Sequence, residues 1–245
     1  MPEFVALYID ALDSNHIDPD ITPNLYQWQT NGAITELSTL FAFKGISAAM
    51  YGGVPPSESG VWMDFKVRTS PNRMLGDRLL AAAARLPSGL PRKGAVTVYE
   101  RVIRDSQVTP HIVPADLRPY FEPHPTKSWT DHRPLSKVPT VFDLFQDHNV
   151  TFRTIGLAGG PQDRIKKKMR NIEEYTEDVV LLKLTLLDHI GHKYGPGSEE
   201  HTDALSEVDA LLGEVAANDG YELLVFSDHG MQTVTGTVDL RSILL

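Results

Sequence analysis

The sequence predicts an α/β fold, a mainly parallel sheet sandwiched by helices. Three observations predict it. Short apolar runs recur along the chain, most clearly at 4–9 (FVALYI), 178–187 and 221–226, with the length and apolar content of buried strands. Helix-like segments alternate with them, and such alternation implies parallel strands covered on both faces. The 245 residues suffice for one large domain, or for a core with a small cap.

Taken in order, Phe4–Ile9 reads as the first strand and ends at Asp10. Thr22-Pro23-Asn24-Leu25 opens a short helix, with Thr22 as N-cap and proline at the first helical position. Residues 33–40 read as a second strand and 46–51 as a short helix closed by Gly52-Gly53. An alanine-rich helix follows over 75–86. Residues 87–139 hold nine of the 17 prolines and show little periodicity, which marks an irregular cap or insertion. Residues 1–86 and 140–245 then form the α/β core. After the insertion come a helix over 140–149, a strand over 151–157 and a basic helix over 163–172. A strand over 178–187, an amphipathic helix over 199–217 and a strand over 221–226 complete the order.

Composition narrows the chemistry. With no cysteine, disulfides, thiolate metal sites and thiol catalysis are excluded. A net charge of −9 disfavours duplex nucleic acid as a partner. It leaves a small anionic substrate open, because bound cations invert the local field. The N-terminus runs straight into a strand without a basic leader, and no apolar stretch approaches the ~20 residues that span a bilayer. These features point to a cytoplasmic protein without a membrane partner.

Three apolar strands are expected to end in aspartate: Asp10, Asp188 and Asp228. In a parallel sheet all three carboxylates fall on one edge, where such sheets place their ligands. Histidines accompany two of them. Asp188-His189-Ile190-Gly191-His192 reads as a tight turn carrying two imidazoles, and Asp228-His229-Gly230-Met231 sets one beside its carboxylate. Clustered carboxylates repel one another unless positive charge is supplied. Mixed Asp/His donors suit zinc, and also manganese or magnesium as carboxylates accumulate. A single strand-end aspartate is more simply a helix cap; three with two adjacent histidine motifs point to metal. His189 is a weaker candidate than His192, and His111, His124 and His132 carry no motif.

These segments resemble the type I phosphodiesterase/nucleotide pyrophosphatase branch of the alkaline phosphatase superfamily. Asp188 to Pro196 (DHIGHKYGP) is similar to its D-x-x-G-H-x-x-G-P signature. Ser227-Asp228-His229-Gly230-Met231 matches S-D-H-G-M, and Ile9-Asp10 matches the opening strand end. Gly53 to Gly60 (GVPPSESG) resembles the T-G-x-x-P-x-x-H-G turn, with Gly52 and Ser59 in place of threonine and histidine. The resemblance implies an alkaline-phosphatase-like core and two divalent ions, commonly zinc. Asp10, Asp228 and His229 would hold one ion, and Asp188 and His192 the other. It implies hydrolysis of a phosphodiester or pyrophosphate in a small phosphorylated, possibly nucleotide-derived substrate, through a Ser or Thr nucleophile.

Two departures stand out. The family's nucleophile position falls on Phe43, and Ser47 is the nearest plausible hydroxyl, near the start of a helix. The family's third ligand for the Asp188/His192 ion, a histidine well downstream, has no counterpart in the residues after Met231. The sequence is then truncated, or that site is weak, or another residue or chain completes it. Besides a metal-dependent hydrolase, two readings stay open: a relative using its metals in another reaction without the usual nucleophile, and a non-catalytic metal-assisted binding protein.

Overall fold

The computed structural model describes residues 1–37, 46–61, 65–67, 121–123, 128–135 and 137–239. The chain divides into two compact units. One comprises residues 1–43 and 145–245, the other residues 44–144. The expected helix over 75–86 and nearly all of the proline-rich segment lie outside the described residues.

The first unit is built on a four-stranded parallel sheet in the order β4-β5-β1-β6. Its strands are β1 (Phe4–Ile9), β4 (Phe152–Ile155), β5 (Val179–Leu184) and β6 (Glu222–Phe226). β1 pairs in parallel with β5 on one side and β6 on the other. Five of its six residues are buried, as expected for a central parallel strand covered on both faces. Val5, Leu7, Ile9, Val180, Leu182 and Leu184 form the heart of the core. The α/β class with helices flanking a parallel sheet is therefore the observed one.

Four helices flank the sheet: α1 (Pro23–Thr30), α5 (Gln162–Arg170), α6 (Leu186–Tyr194) and α7 (Glu199–Ala216). The long α7 packs against the other three. It buries Leu205, Val208, Leu211, Leu212 and Val215, the apolar stripe visible in the sequence. Among the described residues no helix is long and apolar enough to cross a membrane.

Two expected strands are corrected. Residues 33–37 carry no regular structure. They are rich in β-branched residues, but these are partly to fully exposed, and propensity without burial does not make a strand. The run 178–187 is split: β5 ends at Leu184 and α6 begins at Leu186. Leu184 and Leu187 are both fully buried, so the sequence shows one unbroken apolar run. Periodicity cannot divide a buried strand from the buried first turn of a helix.

Helix α1 begins with Pro23 as expected, but Thr22 does not cap it with its side chain. Its Oγ1 is engaged with the backbone of Asp18. The free amides are served from α7 instead. The Asp209 carboxylate accepts from Asn24 N at 3.2 Å and Leu25 N at 2.8 Å, and from Asn24 Nδ2 at 2.8 Å. Asp209 is itself buried, so one side chain both caps α1 and ties it to α7.

The second unit contains α2 (Ile46–Gly52), α3 (Pro56–Ser59) and the antiparallel pair β2 (Phe65–Val67) and β3 (Phe121–Pro123). Ala48, Val61 and Leu135 form a small apolar cluster there. The chain leaves this unit through α4 (Val141–Asp147). A reciprocal cap starts that helix: Thr140 N donates to the Asp143 carboxylate at 2.7 Å, and Asp143 N donates to Thr140 Oγ1 at 3.3 Å.

Two predictions follow from the core. Asp209→Ala leaves buried amides without an acceptor and should cost about 2 kcal/mol in urea unfolding, with the α1–α7 contact loosened first. The second concerns His201, buried in α7 with its ring edge-on to His16 at 5.1 Å. Burial, then the neighbouring His16, push the His201 imidazole below its ordinary value of 6.5. The folded state thus favours the neutral ring, while the unfolded chain takes up a proton near 6.5. Stability should be intact above that pH and fall as the pH drops below it. His201→Gln should flatten this part of the pH profile of the melting temperature.

Candidate metal centre

The parallel register brings the ends of three strands together. Ile9 pairs with Leu184, and Tyr8 pairs with Phe226. The ladder continues one step further, with Asp10 N donating to Leu184 O at 2.9 Å. Asp10 therefore emerges at the carboxyl edge between the ends of β5 and β6, and is 7% exposed. The next residue, Ala11, has φ of 63° and is buried. Such left-handed backbone costs roughly 1 kcal/mol or more in a non-glycine residue. It turns the chain sharply away from the sheet, leaving the carboxylate at the edge.

Asp188 reaches the same edge by another route. It lies in the first turn of α6 rather than at a strand end, and its charge is favoured there by the helix dipole. The segment Asp188 to His192 is correspondingly a helical turn, not a tight loop. Asp188 and His192 stand four residues apart on one helix face, with His192 Nε2 3.3 Å from Asp188 Oδ1. The His192 side chain is 76% exposed, and His189 is also exposed. Gly191 serves packing, because a Cβ there would meet Met231 Sδ at 2.2 Å. The glycine of one signature thus receives the methionine of the other.

The segment after β6 is fixed by Ser227. Its Oγ accepts from Leu12 N at 3.0 Å and donates to His229 O at 2.9 Å. This hydroxyl ties the post-β1 and post-β6 turns together. Gly230 lies against Asp13 so closely that a Cβ would fall 2.1 Å from the Asp13 carboxylate. His229 Nδ1 is 2.9 Å from Gly230 O. A carbonyl can only accept, so Nδ1 is the donor of this contact. The other ring nitrogen, Nε2, lies 3.5 Å from Asp10 Oδ1 and 3.6 Å from Asp228 Oδ2.

Ligand atoms of Asp10, Asp188 and His229 all lie within 4.8 Å of one another. The structure thus draws together residues that the resemblance divides between two ions. Asp228 adjoins this group but is already engaged: Tyr8 OH donates to its Oδ2 at 2.5 Å, and His229 N donates to its Oδ1 at 3.1 Å. Ser47 lies in α2, half-buried, in the second unit. Phe43, His111 and His124 lie outside the described residues. His132, also in the second unit, is 3.6 Å from the Asp143 carboxylate.

Two further residues at this edge, Lys183 and Tyr8, escaped the sequence reading. Lys183 Nζ lies 2.8 Å from Asp10 Oδ2 and 3.2 Å from Tyr8 OH. It also lies 4.3 Å from the centre of the Tyr8 ring, which stacks on Phe226. Lysine was the one charged residue in the run VVLLKL, and that was the available signal. Burial pushes the Asp10 carboxyl above the usual carboxylate range; the Lys183 hydrogen bond opposes this, and the charges of Asp228 and Asp188 reinforce it. The donor set of two carboxylates and one imidazole fits a divalent ion, which would offset that repulsion.

The type I phosphodiesterase/nucleotide pyrophosphatase family model matches residues 4–245. The chain belongs to this family. It is similar to ectonucleotide pyrophosphatase/phosphodiesterase family member 7 of Mus musculus, at 40% identity over 67 residues. That alignment covers 24% of this chain and 15% of the relative. The Homo sapiens counterpart is 31% identical over 107 residues, covering 35% of this chain and 23% of its own length. The matched segments are therefore a minor part of those relatives. The family is described as one of type I phosphodiesterases and nucleotide pyrophosphatases.

Proposed function

We propose that the protein is a metal-dependent hydrolase of phosphodiester or pyrophosphate bonds in small, nucleotide-like substrates. The convergence of Asp10, Asp188 and His229 at the carboxyl edge of the sheet carries the reading, together with family membership. Asp10, Asp188 and His229 would hold a divalent ion, zinc or manganese by donor chemistry. Asp228 and His192 stand beside this group, as further ligands in the two-ion arrangement that the resemblance implies. A divalent ion held by these residues would supply positive charge that offsets the charge of the phosphoryl oxygens.

The chain's own residues do the rest. The contact of Nδ1 with the Gly230 carbonyl orients the His229 ring, with Nε2 on the side of Asp10. Lys183 holds Asp10 at Oδ2, while His229 lies near Oδ1. A cavity of about 750 Å³ borders Asp228, His229 and Gly230 and is walled by Leu12, Trp28 and Ile34. It offers an apolar and aromatic surface next to the charged edge, as a nucleoside portion would need. In hydrolysis, water oxygen bonds to phosphorus, the bond to the leaving oxygen breaks, and the leaving oxygen takes a proton.

A second reading differs only in the nucleophile. The family position falls on Phe43, whose side chain cannot attack phosphorus. We favour water, or a substrate hydroxyl, over Ser47.

The test is release of nitrophenolate from bis(4-nitrophenyl) phosphate. Chelator treatment should abolish turnover, and zinc or manganese should restore it. Asp10→Asn and His229→Ala should stay at background with either metal. Ser47→Ala should retain turnover within a few-fold, and no phosphorylated protein should be trapped. Turnover that survives complete metal removal would overturn the reading. Loss of turnover in Ser47→Ala with metal content intact would move the nucleophile to that residue.

A further inference from the structure

The strand register sets a row of three side chains one step behind the charged edge. β1 pairs Tyr8 with Lys183 of β5 on one side and with Phe226 of β6 on the other. On the strand period of two, Asp10 and Asp228 continue the face that carries Tyr8 and Phe226. Tyr8 is 1% exposed, and its ring stacks on Phe226 with centroids 5.1 Å apart and planes at 19°. The ring is thus fixed, and with it the place of the hydroxyl oxygen. The Lys183 ammonium can only donate, and it lies 3.2 Å from that oxygen. The hydroxyl accepts there and sends its single hydrogen to Asp228 Oδ2, at 2.5 Å. Asp228 Oδ1 accepts from His229 N at 3.1 Å. One donor on each oxygen fixes the plane of this carboxylate. A carboxylate has about four acceptor directions, so both bonds are compatible with an ion. A buried tyrosine needs an acceptor for its hydroxyl, and a backbone carbonyl would serve. Tyr8 instead holds a side chain that the two-ion arrangement counts as a ligand.

We propose that Tyr8 is a positioning residue whose hydroxyl orients Asp228 for its ion. Phe226 fixes the ring, and Lys183 fixes the direction of the hydroxyl hydrogen. The proposal rests on the metal-dependent reading above and adds to it a residue that belongs to neither signature. Hydrogen bonds to ligating carboxylates set their direction, and losing one costs roughly 10–100-fold in metal affinity.

The test is calorimetric titration of the chelator-stripped full chain with zinc or manganese, beside urea unfolding without metal. Asp228→Ala identifies the binding step that depends on this carboxylate. Tyr8→Phe keeps the ring and its stack on Phe226 and removes only the hydroxyl. It should weaken that same step about tenfold and leave any other binding step unchanged. In the double variant, Tyr8→Phe should cost nothing beyond Asp228→Ala alone, because Tyr8 acts through Asp228. A merely structural tyrosine would lower stability in urea and leave the ion affinity as it was. Wild-type affinity in Tyr8→Phe would therefore overturn this proposal alone, as would an equal loss in the Asp228→Ala background. An Asp228→Ala variant that binds ions like the wild type would do the same. A wild type that binds no ion would overturn both this proposal and the hydrolase reading.

Discussion

The structure depends on the parallel register of β1 with β5 and β6. That register sets the ends of three strands side by side, and the residues that follow them carry carboxylates to one place. Carboxylates so arranged repel one another, and burial of Asp10 raises the cost further. Every notable contact at the edge answers this problem. Lys183 supplies charge, and Tyr8 and the His229 amide supply donors. The sheet is thus a device for concentrating negative charge, and the centre is the means of balancing it.

Much of the fold was legible because β1, β5 and β6 are buried apolar runs whose length and composition leave few alternatives. Asp10 and Asp228 could be placed at the edge from sequence because each follows its strand closely. Asp188 was placed correctly at the edge but in the wrong element. The apolar side chains of Leu184 and Leu187 face the same core from a strand and from a helix, so the boundary leaves no mark in hydropathy. The segment 33–37 failed for the opposite reason: its residues favour strands, but the fold does not bury them. The Thr22 cap failed because Asp209, distant in sequence, serves the same amides.

The candidate site was legible as a set of residues but not as a grouping. Sequence spacing joins Asp188 to His192 and Asp228 to His229, because those pairs are neighbours along the chain. The fold joins Asp188 to Asp10 and His229, and leaves His192 largely in solvent. Lys183 and Tyr8 belong to no signature. Their role appears only when adjacent strands are set in register, which places residues 8 and 183 opposite each other. Gly191 and Gly230 both serve close approach, to Met231 and Asp13 respectively.

The central claim is that Asp10, Asp188 and His229 hold a divalent ion together. Anomalous scattering from crystals grown with manganese or zinc tests it most directly. The account predicts a peak within bonding distance of Asp10 Oδ1, an Asp188 carboxylate oxygen and His229 Nε2. A peak bound by Asp188 and His192 but remote from His229, or no peak at this edge at saturating metal, would contradict it.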